Sequence, residues 1–486
     1  MIQFKDVSFR YEANEQNILN DINLTIDDGE VICLTGASGC GKTTVTRMLN
    51  GIIPHFYNGE IDGQILMNDK DIQLQEVYEL TQQSGSVFQN PRSQFFCLNT
   101  TSELAFELEN YGTPANEIKQ RINQSVKQFN LEHLLNRDIF NLSGGEKQLL
   151  ACSAIQVYGH KLIILDEPSS NLDFNTILKL KQMLKIWKSE GKTIVIAEHR
   201  LHYLTEIVDR FIVMSYGSIK KIYNNQQFNR LSHVQLTNLG LRMIHLRQLK
   251  AKSSLNSRNG YLNLHRFYFK YKRNQPLALN IDDVHISKGK VTTIIGRNGS
   301  GKSTLARGLT GVEKKFKGTV DYNQVTLKPR HRLSNVYMVF QDVNNQLFAE
   351  SVEEELKLSN PTLDDEMIRR CLRNYSISEH LQRHPLSLSG GEKQRLAIAS
   401  AVETKREILV FDEPSSGLDG HHMREMSKII NRLAYEGHTV LVITHDYEML
   451  LSCTDEILHL EDGKVKAQYE INNDTIEKLQ TFFNII

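Results

Sequence analysis

The residues of this chain that could do chemistry begin with a glycine-rich pattern that occurs twice. Residues 36–44 read Gly-Ala-Ser-Gly-Cys-Gly-Lys-Thr-Thr, and residues 296–304 read Gly-Arg-Asn-Gly-Ser-Gly-Lys-Ser-Thr. Both fit G-x-x-x-x-G-K-[ST], a loop whose glycines permit positive φ and let successive N–H groups converge on phosphate at the start of a helix. Each copy therefore predicts a site for the phosphates of a nucleotide.

The predicted phosphate partners are the two lysines, and the predicted Mg²⁺ ligands in the loops are the hydroxyls that follow them. The predicted ATP-binding residues of the first loop are Gly36, Ala37, Ser38, Gly39, Cys40, Gly41, Lys42, Thr43 and Thr44. Those of the second loop are Gly296, Arg297, Asn298, Gly299, Ser300, Gly301, Lys302, Ser303 and Thr304. The alternative, a glycine-rich turn before an ordinary helix, is disfavoured because the pattern occurs twice.

Two aliphatic runs, residues 161–167 and 407–413, each end in Asp-Glu. Such runs are typical of central parallel strands, whose carboxyl ends face the ligand crevice. Adjacent residues on an extended chain point to opposite sides, so the two acids need different roles. We assign the aspartates to Mg²⁺ and the glutamates to polarising the attacking water. These residues are Asp166 and Glu167 in the first copy and Asp412 and Glu413 in the second.

A third repeated motif is Leu-Ser-Gly-Gly-Glu-Lys-Gln, at residues 142–148 and 388–394. Serine is a favoured helix N-cap, and the glycines leave backbone N–H groups uncovered at the positive end of the helix that follows. Such a site favours an anion. Its residues are Ser143, Gly144 and Gly145 in the first copy and Ser389, Gly390 and Gly391 in the second.

The elements that must position these motifs also repeat. Each glycine-rich loop follows an apolar run, as expected for a loop between a strand and a helix. The chain of 486 residues is long enough for two domains. We predict domains at residues 1–250 and 260–486, joined by a polar, aperiodic linker at residues 251–259.

The amino-acid composition disfavours some classes of function. The chain has 57 Lys and Arg against 57 Asp and Glu, so no global basic field favours nucleic acid as the main partner. Its six cysteines lie far apart without C-x-x-C spacing, which is typical of a reduced, cytosolic protein. No apolar run approaches 18 residues and the start does not resemble a signal peptide, so we expect any work at a membrane to depend on a recruiting partner.

Taken together, these motifs resemble the ATP-binding cassette family over nearly the whole chain. The resemblance implies an α/β fold of the P-loop NTPase class, with two tandem nucleotide-binding domains. Each domain would have a parallel-sheet core, an antiparallel β subdomain and an α-helical subdomain. It also implies hydrolysis of ATP with Mg²⁺, in cassettes that pair head to tail. By that resemblance residues 36–44 would face residues 389–394, and residues 296–304 would face residues 143–148.

Further residues take their roles from the same resemblance. Glutamines at the two Q-loops would sense Mg²⁺ and water, and histidines at strand ends would contact the γ-phosphate. An aromatic residue upstream of each loop would stack on adenine, and D-loop aspartates would lie across the cassette interface. These residues are Gln89 and Gln341, His199 and His445, Tyr11 and Tyr271, and Asp173 and Asp419. The first histidine lies in Glu-His-Arg and the second in Thr-His-Asp, a departure that removes no catalytic group.

The segments after the two glutamines are similar to those of the ATPases of energy-coupling factor importers. The supporting stretches are residues 90–96, 103–110, 342–348, 352–356, 54–63 and 198–201. This resemblance implies a peripheral protein on the cytoplasmic face of a bacterial-type cell membrane, bound to a transmembrane scaffold protein and a substrate-capture membrane protein. The cargo would be a vitamin, a vitamin precursor or a transition-metal ion. Docking residues would include Phe95, Phe96, Leu347 and Phe348, although packing inside the helical subdomain is an alternative.

Two other classes remain open. A soluble, ribosome-associated translation factor also has two cassettes, but such chains carry a long charged helical linker, and residues 243–259 are too few for a helical hairpin. A two-cassette sugar importer ATPase is disfavoured because the second copy in that family typically departs from the loop pattern, which is intact here.

Overall fold

The protein is described by a computed structural model that covers residues 1–12, 15–170, 172–254, 260–272 and 274–485. It divides into two units. The first is Met1–Ile244 with Asp419–His421, and the second is His245–Leu418 with His422–Ile486. Part of the predicted linker, residues 255–259, lies outside the described residues, and the predicted domain limits stay a prediction.

The first unit contains ten strands in its described part. They are β1 (Ile2–Tyr11), β2 (Leu19–Ile26), β3 (Val31–Gly36), β4 (Gly59–Met67), β5 (Lys70–Asp71), β6 (Ser84–Val87), β7 (Leu162–Asp166), β8 (Thr193–Ala197), β9 (Arg210–Ser215) and β10 (Ser218–Asn224). Its helices are α1 (Lys42–Leu49), α2 (Ile52–His55), α3 (Val77–Gln83), α4 (Thr100–Asn110), α5 (Ala115–Gln128), α6 (Gly144–Tyr158), α7 (Phe174–Ser189), α8 (Asn225–Asn229) and α9 (His233–Asn238).

These strands form two sheets, as their burial patterns require. The alternating strand β1 lies in an antiparallel sheet of order β2-β1-β4-β5, counted over the described residues. The fully buried strand β3 lies in a second sheet of order β10-β9-β3-β8-β7-β6, where only the β9–β10 pair is antiparallel. A strand covered on both faces reads as a continuous apolar run, which is why β3, β7 and β8 lack alternation.

The second half of the chain repeats this arrangement. Its strands are β11 (Tyr261–Phe269), β12 (Leu279–Ser287), β13 (Val291–Ile295), β14 (Lys317–Tyr322), β15 (Val325–Thr326), β16 (Val336–Val339), β17 (Ile408–Asp412), β18 (Thr439–Ile443), β19 (Glu456–Glu461) and β20 (Lys464–Glu470). Its helices are α10 (Lys302–Thr310), α11 (Pro329–Asn335), α12 (Val352–Ser359), α13 (Asp365–Asn374), α14 (Gly390–Glu403), α15 (Gly420–Glu436), α16 (Tyr447–Cys453) and α17 (Asn473–Phe482). The sheet orders over the described residues are β12-β11-β14-β15 and β16-β17-β18-β13-β19-β20.

A helical layer completes each unit. Helices α4, α5 and α6 pack on one another in the first unit, and α14 packs on α12 and α13 in the second. The predicted fold class is therefore confirmed: each unit has a mostly parallel core sheet, an antiparallel sheet and a helical subdomain. Among the helices in the described ranges, none combines the length and apolar character that crossing a membrane requires.

Candidate functional site

Each glycine-rich loop joins a core strand to a core helix, as predicted. The first runs from the end of β3 to the start of α1, and both elements pack in one apolar core. Gly41 ends the loop with a φ of 98°, and a Cβ there would approach Leu19 Cδ2 to 2.5 Å. Gly301 has the same conformation, with a φ of 100°. These positions therefore require glycine, because an L side chain would be strained and crowded.

The two lysines fold back over their loops. Lys42 Nζ donates to the carbonyl oxygens of Gly36 at 3.2 Å and Ala37 at 2.9 Å. Lys302 Nζ donates to the carbonyls of Gly296 at 2.7 Å and Arg297 at 3.0 Å. Both ammonium groups are buried inside the loop, where phosphate oxygens would find a concentrated positive charge together with the helix N-terminus.

The predicted Mg²⁺ ligands lie together. Thr43 Oγ1 donates to Asp166 Oδ1 at 3.2 Å, and Ser303 occupies the corresponding position beside Asp412. Burial, with the Glu167 charge second, raises the pKa of Asp166 to about 7, and burial also raises the pKa of Asp412. A hydroxyl beside a buried carboxylate is a hard, oxygen-only donor set of the kind that Mg²⁺ prefers.

Glu167 lies at the centre of a small cluster in the first unit. It follows β7 with a positive φ of 45°, a rare conformation that aims the side chain away from the strand path. Gln89 Nε2 donates to Glu167 Oε2 at 2.7 Å, and His199 Nε2 lies 3.4 Å from Oε1. Burial alone would raise the pKa of Glu167, but His199, Lys42 and Gln89 together lower it. The carboxylate is therefore ionised at neutral pH and can accept a hydrogen bond from water.

The second unit builds a related cluster with different contacts. Glu413 also has a positive φ, 50°, and His445 Nε2 lies 3.7 Å from its Oε1. The His445 backbone N–H donates to Glu413 Oε2 at 3.3 Å, and Thr444 Oγ1 donates to the same oxygen at 3.4 Å. Gln341 lies two residues beyond β16 and is exposed.

The two predicted adenine-stacking tyrosines reach the helices that follow the loops. Tyr11 ends β1, and its hydroxyl lies 3.4 Å from Thr44 Oγ1. Tyr271 lies two residues beyond β11, and its hydroxyl is 2.8 Å from Thr304 Oγ1. Both rings are thus fixed beside a loop, where an adenine could stack on them. Arg47 adds a contact that sequence reasoning missed, a hydrogen bond of 3.3 Å to the Tyr11 hydroxyl.

The Ser-Gly-Gly motifs lie at the starts of α6 and α14. Ser143 and Ser389 are N-caps, as predicted, and each forms a capping box with the glutamate three residues on. A Cβ at Gly144 or Gly390 would meet nothing within 4 Å, so these helix ends are open to a ligand. The motifs lie on the helical subdomains, on elements other than those that carry the loops of the same units.

The D-loop candidates have defined partners. Asp173 is the N-cap of α7 and accepts from the Thr176 N–H at 2.9 Å. Asp419–His421 is part of the first unit, and there Asp419 Oδ2 accepts a hydrogen bond of 2.6 Å from the Ser38 N–H. The predicted roles of both aspartates stay predictions.

The side chains at the two loops are of the types that bind ATP together with Mg²⁺. The loops would hold the phosphates, and the Thr43–Asp166 and Ser303–Asp412 pairs would hold the cation, which when bound neutralises phosphate charge. The ionised Glu167 would orient and polarise a water molecule, with Gln89 and His199 holding its two oxygens. These are the chemical groups that transfer of a terminal phosphate to water requires.

One buried group escaped the sequence reasoning. Glu198 precedes His199, is buried, and accepts hydrogen bonds from both backbone and side-chain donors. The Glu-His-Arg departure from Thr-His-Asp was the signal that could have identified it.

The family comparison agrees with this geometry. The ABC transporter family matches residues 19–170 and 279–416. A protein of Treponema denticola with the provisional name ABC transporter ATP-binding protein is 40% identical over 489 residues, covering 99% of this chain and 100% of the relative.

Solved structures show the same fold across the chain. An archaeal ribosome recycling factor, crystallised with a ribosomal stalk protein, matches with a TM-score of 0.66 and 22% identity, covering 98% of this chain and 92% of that one. A chain from a structure of ribosome-bound archaeal Pelota and ABCE1 matches with a TM-score of 0.71 and 24% identity, covering 98% of this chain and 80% of that one. At these identities the likeness shows the fold alone.

The matched residues include both glycine-rich loops, both Asp-Glu strand ends and both Ser-Gly-Gly motifs, and the Treponema relative is similar from end to end. The chain therefore belongs to the ABC transporter family, as an ATP-hydrolysing enzyme with two ATP-binding cassettes.

Proposed function

We propose that this protein is the ATP-hydrolysing subunit of a membrane importer of the energy-coupling factor type. It would bind a transmembrane scaffold protein on the cytoplasmic face of the membrane, together with a substrate-capture protein for a vitamin, a vitamin precursor or a transition-metal ion. The observation that carries the proposal is a complete set of loop, Asp-Glu strand end and histidine in each half, in a chain that is similar throughout its length to a relative named for transport.

A cavity in the first unit lies beside the predicted cation site. It has a volume of about 320 Å³, and its lining includes Thr43 and Asp166 as well as Phe88 and Gln89. Since Gln89 also bonds Glu167, a partner that moved this glutamine would affect hydrolysis.

The docking residues suggested by the sequence separate into two groups. Phe96 and Phe348 are 77% and 75% exposed, so both are free of the core and available to a partner. Leu347 is 4% exposed and packs in the apolar core of the second unit. Its proposed docking role is therefore wrong, because a side chain buried in the core of its own unit cannot line a groove for a partner. Phe95 is half-buried.

In the proposed cycle, ATP bound at a loop would be closed over by the Ser-Gly-Gly helix of the other cassette, in a head-to-tail pair. Hydrolysis removes the bridging γ-phosphate and lets the cassettes part. The difference between the affinities of ATP and ADP for the closed arrangement would then drive the membrane partner.

A second candidate is a soluble, ribosome-associated factor. The observation that favours it is the full-length structural likeness to the archaeal ribosome recycling factor. That likeness is at 22% identity and concerns the fold, whereas the relative at 40% identity is named for transport. The two candidates differ in the partner they require.

The test is affinity purification of the tagged full chain from its native cell. Membranes are extracted in mild detergent and the soluble fraction is processed in parallel, and the partners are identified by mass spectrometry. We expect a multi-helix membrane protein and a small membrane protein in the detergent extract. The test variant is Phe96→Asp, which places a charge at an exposed docking candidate outside the predicted ATP site and should reduce recovery of the scaffold at least about fivefold.

Recovery of ribosomes from the soluble fraction, with no membrane partner in the extract, would overturn the importer proposal and support the second candidate. Equal recovery of the scaffold by Phe96→Asp would contradict docking at this side chain while leaving the importer assignment in place.

A further inference from the structure

The histidine segment of the first cassette contains an extra buried carboxylate. Glu198 follows β8 and is 1% exposed. Its Oε1 accepts hydrogen bonds from the backbone N–H groups of His199 at 2.7 Å and Arg200 at 3.0 Å. Its Oε2 accepts from the Ser169 N–H at 3.2 Å and from the Tyr203 hydroxyl at 2.9 Å. These four donors compensate the cost of burying the charge.

Arg200 joins the same two segments from the other side. The side chain is buried, and its Nη1 donates to the carbonyl oxygens of Ser169 at 3.4 Å and Leu172 at 3.2 Å. Ser169 comes two residues after Glu167 in the chain. Two side chains of the histidine segment therefore hold the backbone that follows the water-polarising carboxylate. Glu198 accepts from one of its N–H groups, and Arg200 donates to two of its carbonyl oxygens.

The second cassette has neither side chain. Thr444 and Asp446 occupy the corresponding positions. There the His445 N–H donates to Glu413 Oε2 at 3.3 Å, and Asp446 caps α16. In the first cassette the backbone N–H of the histidine thus donates to a separate carboxylate, that of Glu198. In the second cassette it donates to the water-polarising carboxylate itself. Donors to a carboxylate stabilise its charged form and so weaken it as a proton acceptor.

We propose that Glu198 and Arg200 are positioning residues of the first hydrolysis site. They hold His199 and the Ser169–Leu172 backbone in one arrangement, and Glu198 takes the backbone donor that would otherwise occupy Glu167. The inference goes beyond the transport function, because it concerns hydrolysis by the chain itself, whatever partner the chain has.

The experiment uses the full chain with the second site silenced by Glu413→Gln. In that parent, Glu198→Thr introduces the residue type of the second cassette. We expect kcat to fall about tenfold or more, since small displacements of positioned groups have effects of this size. The KM for ATP should stay within about twofold, because the phosphate loop is unchanged. The matched control is Thr444→Ala in a Glu167→Gln parent, which removes a 3.4 Å bond to Glu413 and the acceptor of the Asp446 N–H. It should lower kcat less than about threefold, because the His445 N–H still donates to Glu413.

Tyr203→Phe is a milder variant that removes one donor to Glu198 and keeps the ring. It should lower kcat about two- to fivefold with KM unchanged, so the test stands even where Glu198→Thr reduces folding. If the Glu413→Gln parent is inactive, both variants are measured in the otherwise unchanged chain against Thr444→Ala. Values of kcat within twofold of the parent in both variants would overturn the proposal. The proposal would also be overturned if the fall in kcat equalled the fall in the fraction of folded protein, as measured by thermal unfolding.

Discussion

The two cassettes contain the same predicted catalytic residues, but the hydrogen bonds that hold these residues in place differ. In the first, the histidine segment is bonded to the buried Glu198, and Glu167 is held by the side chains of Gln89 and His199. In the second, the histidine segment is bonded directly to Glu413. Equal motifs therefore do not imply equal sites, because the residues beside a motif decide how its groups are held.

A second difference lies at the start of the strands β9 and β19. Asp209 and Asp455 each accept a hydrogen bond of 2.9 Å from the first residue of the strand that leads to the loop. Asp209 is paired at 2.6 Å with Lys188 of α7, whereas Asp455 is paired at 2.8 Å with Lys252, which follows the division between the units. The second unit thus makes this contact through a segment that precedes its first strand, whereas the first unit makes it through a helix.

The largest expected effect tests whether both sites hydrolyse ATP. Glu167→Gln and Glu413→Gln should each lower the ATPase rate, and the double variant should lower it at least about a hundredfold, because each removes the group that polarises water. Steady-state phosphate release measures all three. A single substitution that leaves the rate untouched would show that its site is idle, and the comparison would then be between an active and an inactive cassette.

The next effect concerns stability. Lys252→Ala should cost the second unit about 2 kcal/mol, since it removes a charged partner at 2.8 Å from the Asp455 side chain, which is 0% exposed. Lys188→Ala should cost the first unit about 1 kcal/mol or less, because the Asp209 side chain is 41% exposed. Urea unfolding, monitored by hydrogen exchange in each unit, measures the two losses of stability separately. Equal losses of stability would contradict the larger role assigned to Lys252.

The affinity of each cassette for nucleotide tests the role of the two tyrosines. Tyr11→Ala and Tyr271→Ala should each weaken binding of a fluorescent ATP analogue at their own site by about 1–3 kcal/mol, the usual value of base stacking on an aromatic ring. Tyr11→Phe and Tyr271→Phe are the controls, because they keep the ring and lose the hydroxyl contacts. If the alanine variants bind as tightly as the phenylalanine variants, the tyrosines do not stack on the base.

The smallest effect is a difference in pH dependence. Hydrogen bonds from Lys181 and Lys185 lower the pKa of Glu206 from 4.5 to about 2. A carboxylate with a depressed pKa stabilises the fold above its unfolded pKa, and that contribution is lost as pH falls from about 4.5 towards 2. Since the side chain is largely exposed, solvent screening limits the contribution to about 1 kcal/mol or less.

The second cassette makes the corresponding contact with neutral groups, as Asn431 Nδ2 donates to the Ser452 carbonyl at 3.0 Å. Glu206→Gln should therefore lower the stability of the first unit at pH 7 and have no effect near pH 2, with the unfolding of the second unit as the internal reference. A loss that is the same at both pH values would contradict the ionic origin.

Sequence patterns predicted most of the fold and the chemical groups of both sites. The glycine-rich loops, the Asp-Glu strand ends and the serine caps lie where their motifs indicated, between the predicted strands and helices. These features depend on a few neighbouring residues, since φ preferences, burial of an apolar run and helix capping all act over short stretches of chain. The duplication followed from the same local patterns.

Only the tertiary structure decided which donor each buried carboxylate receives. Glu198 bonds residues on two segments because β7 and β8 are neighbours in the sheet, and Lys252 reaches Asp455 across about two hundred residues of sequence. Leu347 is buried although its neighbour is exposed. Such contacts depend on how separate segments pack in three dimensions, and a hydrogen bond requires its atoms within about 3 Å. The sequence by itself determined which groups are present in each cassette, whereas packing determined how they are held.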